Sequence, residues 1–274
     1  MNKRTLILLV VATLASQAYA DPESALRVRA FARLPNWTGL WEGDHSVPTP
    51  LNGAFAPSGT SICPFTEAAF THSRLLAKPP YNPVWERKYL RAMSAMKDHG
   101  GLAAAIAALK YCGVTGFPAA MESLAVFQVV VTPEETLLLY PDGGVRHVYT
   151  DGRAHPPKED LWPTPMGDSI GHWDGATLVI DTIERTPGPV SPIAPYPGTV
   201  ADLSEQAHFT ERLRKVGKDS LQDDLTIEDP LRFTHPWHVS LHYARVTNQD
   251  RMIAYNCEND RNPTVNGKIT VAAP

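Results

Sequence analysis

From residue 124 onward the chain repeats one unit: a short run rich in Val, Ile, Leu and Thr, closed by a tight-turn signal. Residues 124–131 form a nearly continuous apolar, β-branched run of the kind a buried strand needs. Residues 136–140 follow after Pro133-Glu134, and Asp142-Gly143-Gly144 turns the chain into 145–150. The clearest hairpin joins 170–173 to 176–182 across Asp174-Gly175, a dipeptide suited to a type I′ turn. Further runs are predicted at 207–216 and 221–229, joined across 217–220, and at 237–246 and 251–257. With a segment at Trp41, this makes nine or ten strands, mostly consecutive antiparallel hairpins. A sheet of that size is expected to close on itself, since closure removes exposed edges. The predicted class is therefore mainly β, an antiparallel up-and-down barrel.

The stretch before the sheet differs in character. Residues 66–76, 84–96 and 102–110 read as three helices, a helical insertion near 64–111. In the second, Tyr89, Met93 and Met96 recur at helical spacing among Glu86, Lys88 and Arg91, and Gly100-Gly101 separates it from the third. The 25 prolines are too many for an all-helical fold.

The N-terminus carries Lys3 and Arg4, an apolar run over 5–15, and a small-x-small site at Ala18-Tyr19-Ala20. That is the pattern of a secretory signal, predicted to be cleaved after Ala20. The run is short for a membrane span, which takes roughly 20 apolar residues, so no membrane insertion is expected after cleavage. Residues 21–274 are expected to form a single β-rich domain in the periplasm or outside the cell. The full chain has a net charge of −4, and the leader removes two of its basic residues. A mildly acidic chain without basic clusters argues against nucleic acid as a partner. An oxidising compartment makes a disulfide plausible among Cys63, Cys112 and Cys257. Cys112–Cys257 is the preferred pairing because it ties the chain end back to the middle; Cys63–Cys112 stays open. No metal site is expected, since the cysteines form no paired C-x-x-C, and no cofactor motif is present.

Gly39-Leu40-Trp41 resembles the G-x-W signature of lipocalins and other calycins. In that group the Trp closes one end of an up-and-down barrel that holds a small ligand. Four longer stretches resemble a family of exported bacterial proteins of uncharacterised function: YTDGRAHP at 149–156, GDSIGHWDGATLVIDT at 167–182, HFTERLR at 208–214 and TIEDPLRFTHPW at 226–237. The resemblance covers roughly residues 105–260 and implies export and a β-rich fold. Relatives usually carry His or Tyr where this chain has Asp168, and Asp where it has Ala176; if either position does chemistry in relatives, that chemistry is lost or altered here.

Several residues are candidates for chemistry. His155, fixed in direction beside Pro156, suits a general base, and its ordinary pKa lies near neutrality. On the strand at 208–214, alternation puts Phe209, Glu211 and Leu213 on one face and His208, Thr210, Arg212 and Arg214 on the other. If Phe209 and Leu213 mark the inner face, Glu211 points inward, where desolvation raises a carboxyl pKa into the range of a general acid or base. The bland alternative is a Glu211 paired with an inward Arg, or a strand that bulges and puts Glu211 outside. His155, His208 and Glu211 are thus the candidate catalytic groups. Arg153, Arg212, His172 and Trp237 are candidates for contacting the substrate. His238, Ser240 and His242 read as an exposed polar face. The expected function is binding of a small, largely apolar or aromatic molecule, with cofactor-independent acid–base catalysis (isomerisation, elimination or hydrolysis). The alternatives are a non-catalytic ligand carrier and a structural or partner-binding envelope protein.

Overall fold

The computed structural model describes residues 22–44, 79–98, 116–122, 126–189, 202–253, 264–265 and 268–269. The predicted leader, the three cysteines and the predicted helices at 66–76 and 102–110 lie outside the described residues. The chain divides into two units, Met1–Arg33 and Leu34–Pro274. In the first, α1 spans Pro22–Phe31. The second contains the sheet.

Nine strands close into a barrel. In chain order they are β1 (Gly39–Gly43), β2 (Phe127–Val131), β3 (Glu135–Leu139), β4 (Val145–Tyr149), β5 (Asp168–Asp174), β6 (Thr177–Ile183), β9 (His208–Gly217), β10 (Ser220–Glu228) and β11 (Trp237–Arg245). β7 (Gly188–Pro189) and β8 (Asp202–Leu203) pair outside the barrel, as do β12 (Thr264–Val265) and β13 (Lys268–Ile269). Neighbours around the barrel follow sequence order, and β1 closes it by pairing with both β2 and β11. The predicted barrel is therefore the observed one. The strand expected at 251–257 is not formed by residues 251–253, the part that is described; β11 has already given its free edge to β1.

An odd number of strands cannot close with every neighbour antiparallel. The one parallel seam is β4–β5, where Val148 lies beside Ser169 and Tyr149 beside Ile170. A parallel pair needs a crossover, and residues 150–167 provide it, running from one end of the barrel to the other along its outside. The β5–β6 hairpin also departs in detail from expectation. Asp174 pairs with Thr177, so the central turn residues are Gly175-Ala176 rather than Asp174-Gly175. Only Gly175 has positive φ, +61°, the pattern of a type II′ turn rather than type I′.

One end of the barrel, here the upper, holds the β2–β3, β5–β6 and β9–β10 turns. Trp37 and Trp41 are buried there, Trp41 Nε1 donates to the Trp37 carbonyl at 2.9 Å, and Trp37 meets Trp173 edge-on. The Arg245 guanidinium lies 4.3 Å over the Trp41 ring and donates to the Thr38 carbonyl at 2.7 Å. A side chain on Gly39 would collide with that guanidinium, and its φ of +139° also favours glycine. The glycine and tryptophan of the G-x-W motif thus sit at a closed barrel end.

The lower end carries the predicted helix, α2 (Pro83–Asp98). Asn82 caps it, its Oδ1 accepting from the amides of Val84 and Trp85 at 3.1 and 3.2 Å, and Pro83 fits the first turn. Tyr81 and Tyr89 pack together, and Tyr81 reaches Phe233. Phe233 in turn meets Trp237 on the barrel wall.

Candidate functional site

Strand alternation sorts the polar side chains of β4, β5, β6, β9 and β10 into two groups, one inside the barrel and one outside. Within, the register aligns successive rows across β5, β6, β9, β10 and β11. One row holds Trp173, Leu178, Leu213, Asp223 and Leu241. The next holds Gly171, Ile180, Glu211, Leu225 and Val239. Glu211 and Asp223 are therefore diagonal neighbours on adjacent strands, within reach of one another across the pleat. Both are completely buried.

Arg146, reaching in from β4 and also buried, meets Glu211 with a two-point contact. Its Nη1 donates to Glu211 Oε1 at 3.0 Å and its Nη2 to Oε2. Nη2 also donates to Thr182 Oγ1 at 2.9 Å and Nε to Ser169 Oγ at 3.3 Å, while the two hydroxyls lie 2.8 Å apart. Burial works against the Arg146 charge, but the Glu211 charge and hydrogen bonds outweigh it and leave the guanidinium pKa above its ordinary value. Fork-to-fork pairing of this kind is among the strongest side-chain contacts. Tyr140, from the β3–β4 turn, completes the surroundings; burial pushes its hydroxyl pKa up.

Asp223 is the odd member. Neither of its carboxyl oxygens has a hydrogen-bond donor among the described residues. Burial, and then the negative charge of Glu211, push its pKa well above the ordinary aspartate value, against the pull of Arg146. Ionised, Asp223 has no donor among the described residues to satisfy it. Protonated, it can itself donate to the Glu211 carboxylate, and that hydrogen bond further favours the neutral form. The geometry thus sets a second carboxyl, without a donor among the described residues, beside a matched and fully buried Arg146–Glu211 pair. Nearer the upper end, the indole N–H groups of Trp37 and Trp173 and the Thr136 hydroxyl also lack a hydrogen-bond partner among the described residues.

The outer faces of the same strands carry a chain of alternating acids and histidines. His155, on the crossover, sets Nδ1 against Asp168 of β5 and Nε2 2.8 Å from Asp181 of β6. The other Asp181 oxygen lies 2.7 Å from His208 Nε2 on β9, and His208 Nδ1 lies 3.4 Å from Glu228 on β10. A neutral imidazole donates from one nitrogen only, so at His208 the two carboxylates favour the doubly protonated ring. Hydrogen bonding to Asp181 raises the His208 pKa against burial, helped by the charges of Asp181 and Glu228. Reciprocally, His208 and then His155 hold the Asp181 carboxyl below its ordinary value, against its partial burial.

The candidate catalytic residues therefore separate. His155 and His208 come together on the outside, linked through Asp181, while Glu211 points inward with Arg146, the pairing read from sequence as the bland alternative. The three do not converge on one point. Of the candidate substrate contacts, Arg153 is exposed, paired with Asp151 and stacked on Tyr149. Arg212 is exposed and paired with Asp174, and His172 is exposed on β5. Trp237 is buried in the core. Arg146, Asp223 and Tyr140 were not among the candidates, although alternation marks two of them: Arg146 shares a face with Val148, and Asp223 with Leu221 and Leu225.

A closed nine-strand barrel with a buried Arg–Glu–Asp group is the class of protein that fold and site define. Comparison of the chain with family models, with curated proteins and with solved structures finds no match.

Proposed function

We propose that this protein is an exported barrel that binds a small, largely apolar or aromatic molecule in its interior and acts on it by acid–base chemistry. Asp223 is the proton donor, Glu211 is the base that holds or receives the proton, and Arg146 steadies developing negative charge. The observation that carries this reading is Asp223, a wholly buried carboxyl without a donor among the described residues, beside a buried ion pair. Buried polar atoms are ordinarily satisfied, and a leucine, as at Leu213 and Leu241 in the same row, would fill the position without that cost. A carboxylic acid kept neutral by its surroundings is suited to protonating or hydrogen-bonding an oxygen of a bound molecule. Such a step balances as proton transfer alone: a proton leaves one site of the molecule for Glu211 and another reaches it from Asp223. Isomerisation is the simplest outcome.

Export rests on the leader pattern at residues 1–20 and on the resemblance to exported bacterial proteins. No helix among the described residues is long and apolar enough to cross a membrane.

Native mass spectrometry of protein purified from its host tests the reading. A co-purifying small molecule, converted by the wild type but held unchanged by Asp223→Asn, is expected. A molecule held but converted equally by both proteins would reduce the function to that of a carrier. A barrel that never carries a molecule, in wild type or variant, would overturn the binding reading.

A further inference from the structure

The lower mouth of the barrel is occupied by a short segment of the chain that belongs to no strand. Residues 116–122 fold into a tight turn, with Ala120 N–H donating to the Gly116 carbonyl and Met121 N–H to the Pro118 carbonyl, both at 2.9 Å. From this turn, Phe117 and Met121 are driven into the interior, where both are essentially inaccessible. The Phe117 ring covers the Arg146 guanidinium at 3.8 Å and meets Phe209 edge-on at 4.9 Å. Met121 offers its sulfur to the Tyr140 hydroxyl at 3.0 Å. The segment therefore covers the Arg146 side of the buried group with an aromatic ring and satisfies Tyr140 with a thioether, a weak acceptor.

Among the described residues, two backbone-directed bonds tie the segment to its surroundings: Phe117 N–H to the Pro165 carbonyl at 2.9 Å, and Arg185 Nε to the Phe117 carbonyl at 2.8 Å. Each barrel strand, by contrast, is held by a ladder on both sides. Without a strand ladder, the segment is held mainly by the packing of Phe117 and Met121, contacts that a bound ring can make in their place.

Resting on the ligand reading above, we propose that residues 116–122 are a built-in plug that stands in the ligand's place, and that the ligand is an aromatic molecule bearing an oxygen acceptor. Its ring replaces Phe117 on the Arg146 guanidinium, a contact that any aromatic face can make. Its oxygen replaces the Met121 sulfur on the Tyr140 hydroxyl. The exchange conserves the cation–π contact and trades a weak acceptor for a strong one, so it favours an aryl ketone or similar molecule over a purely apolar one. Binding then displaces the plug rather than tightening it.

Acetophenone and ethylbenzene are suitable probes, because they share the ring and differ in the acceptor. Binding to the full wild-type protein is followed by calorimetry, and hydrogen exchange at the amides of Phe117, Ala120 and Met121 by mass spectrometry. Saturable acetophenone binding is expected, ethylbenzene binding should be weaker by at least about tenfold, and exchange in 116–122 should accelerate as acetophenone saturates. In Phe117→Leu, which keeps an apolar plug but loses the ring on Arg146, acetophenone should bind about tenfold more tightly. If that variant does not fold, the wild-type exchange data decide. Acetophenone binding that slows exchange in 116–122 would overturn the plug and leave the ligand reading standing. Equal binding of both probes, or of neither, would overturn the proposed ligand class. Failure of the ligand reading itself shows separately, as the absence of any co-purifying molecule.

Discussion

On β9, Glu211 and His208 leave the backbone on opposite sides, and their surroundings have almost nothing in common. Outside, the titratable chain from Asp168 to Glu228 finds a partner for each histidine nitrogen, and its members are partly exposed. Inside, Arg146, Glu211 and Asp223 are wholly buried, and Asp223 has no donor among the described residues. The outer network is a clasp. It pins the crossover segment to β5, β6, β9 and β10 through interactions that water and salt weaken. The inner group is costly to assemble, and its charge balance depends on every member. Residue types alone would have ranked the two the other way, since histidines beside acids look more like chemistry than a lone aspartate among leucines.

The comparison is broken most severely at Arg146. Arg146→Met leaves Glu211 buried without a countercharge, and a loss of about 3–5 kcal/mol is expected in urea unfolding. The double variant Arg146→Met/Glu211→Leu should recover most of it. Glu211→Gln is expected to be costly for the same reason, because it strands the guanidinium, and is therefore a poor test of catalysis. On the outside, Arg212→Met breaks the exposed pair with Asp174 and should cost no more than about 1 kcal/mol.

A smaller effect sharpens the comparison through pH. The folded state holds a proton on Asp223 that the unfolded chain releases near the ordinary aspartate value. Stability from this group is therefore full below that value and falls as pH rises through the raised folded pKa, by up to about 1.4 kcal/mol per pH unit. In Asp223→Asn that slope should vanish from urea unfolding measured across the range. The outer clasp carries different signs. His208, with its raised pKa, contributes most below the ordinary histidine value, and its contribution is lost as pH rises through the folded value. Asp181, with its lowered pKa, contributes above the ordinary aspartate value and is lost as pH falls through the folded one.

The smallest expected effect is that of His208→Gln near neutral pH. A change within about 1 kcal/mol, shrinking further in high salt, fits an exposed network. A larger, salt-independent loss would show that the clasp is as tightly built as the interior.

Much of the barrel was legible because strands announce themselves locally. The Asp142-Gly143-Gly144 turn, the hairpin at Asp174-Gly175 (its turn one residue later than read) and the period-two pattern of 208–214 each follow from a few adjacent residues. The parallel seam was not legible, because nothing in residues 150–167 says that they cross the barrel instead of turning back. Its necessity comes from the odd strand count, a property of the closed whole. The site was half legible. Alternation placed Glu211 inside and His208 outside, and the same reasoning applied to 145–149 and 221–225 marks Arg146 and Asp223. What no local pattern conveys is that Arg146 on β4 meets Glu211 on β9, or that Phe117 lies over it. Those contacts depend on closure and on a plug remote in sequence.

Urea unfolding of Asp223→Leu at neutral pH tests most directly whether the interior keeps a carboxyl against its own stability. Leu213 and Leu241 flank the position, and Glu211 retains Arg146, so the variant should be more stable than the wild type by about 1–3 kcal/mol. A variant less stable by a similar amount would mean that Asp223 is a structural partner in the core, and would contradict its assignment to a ligand.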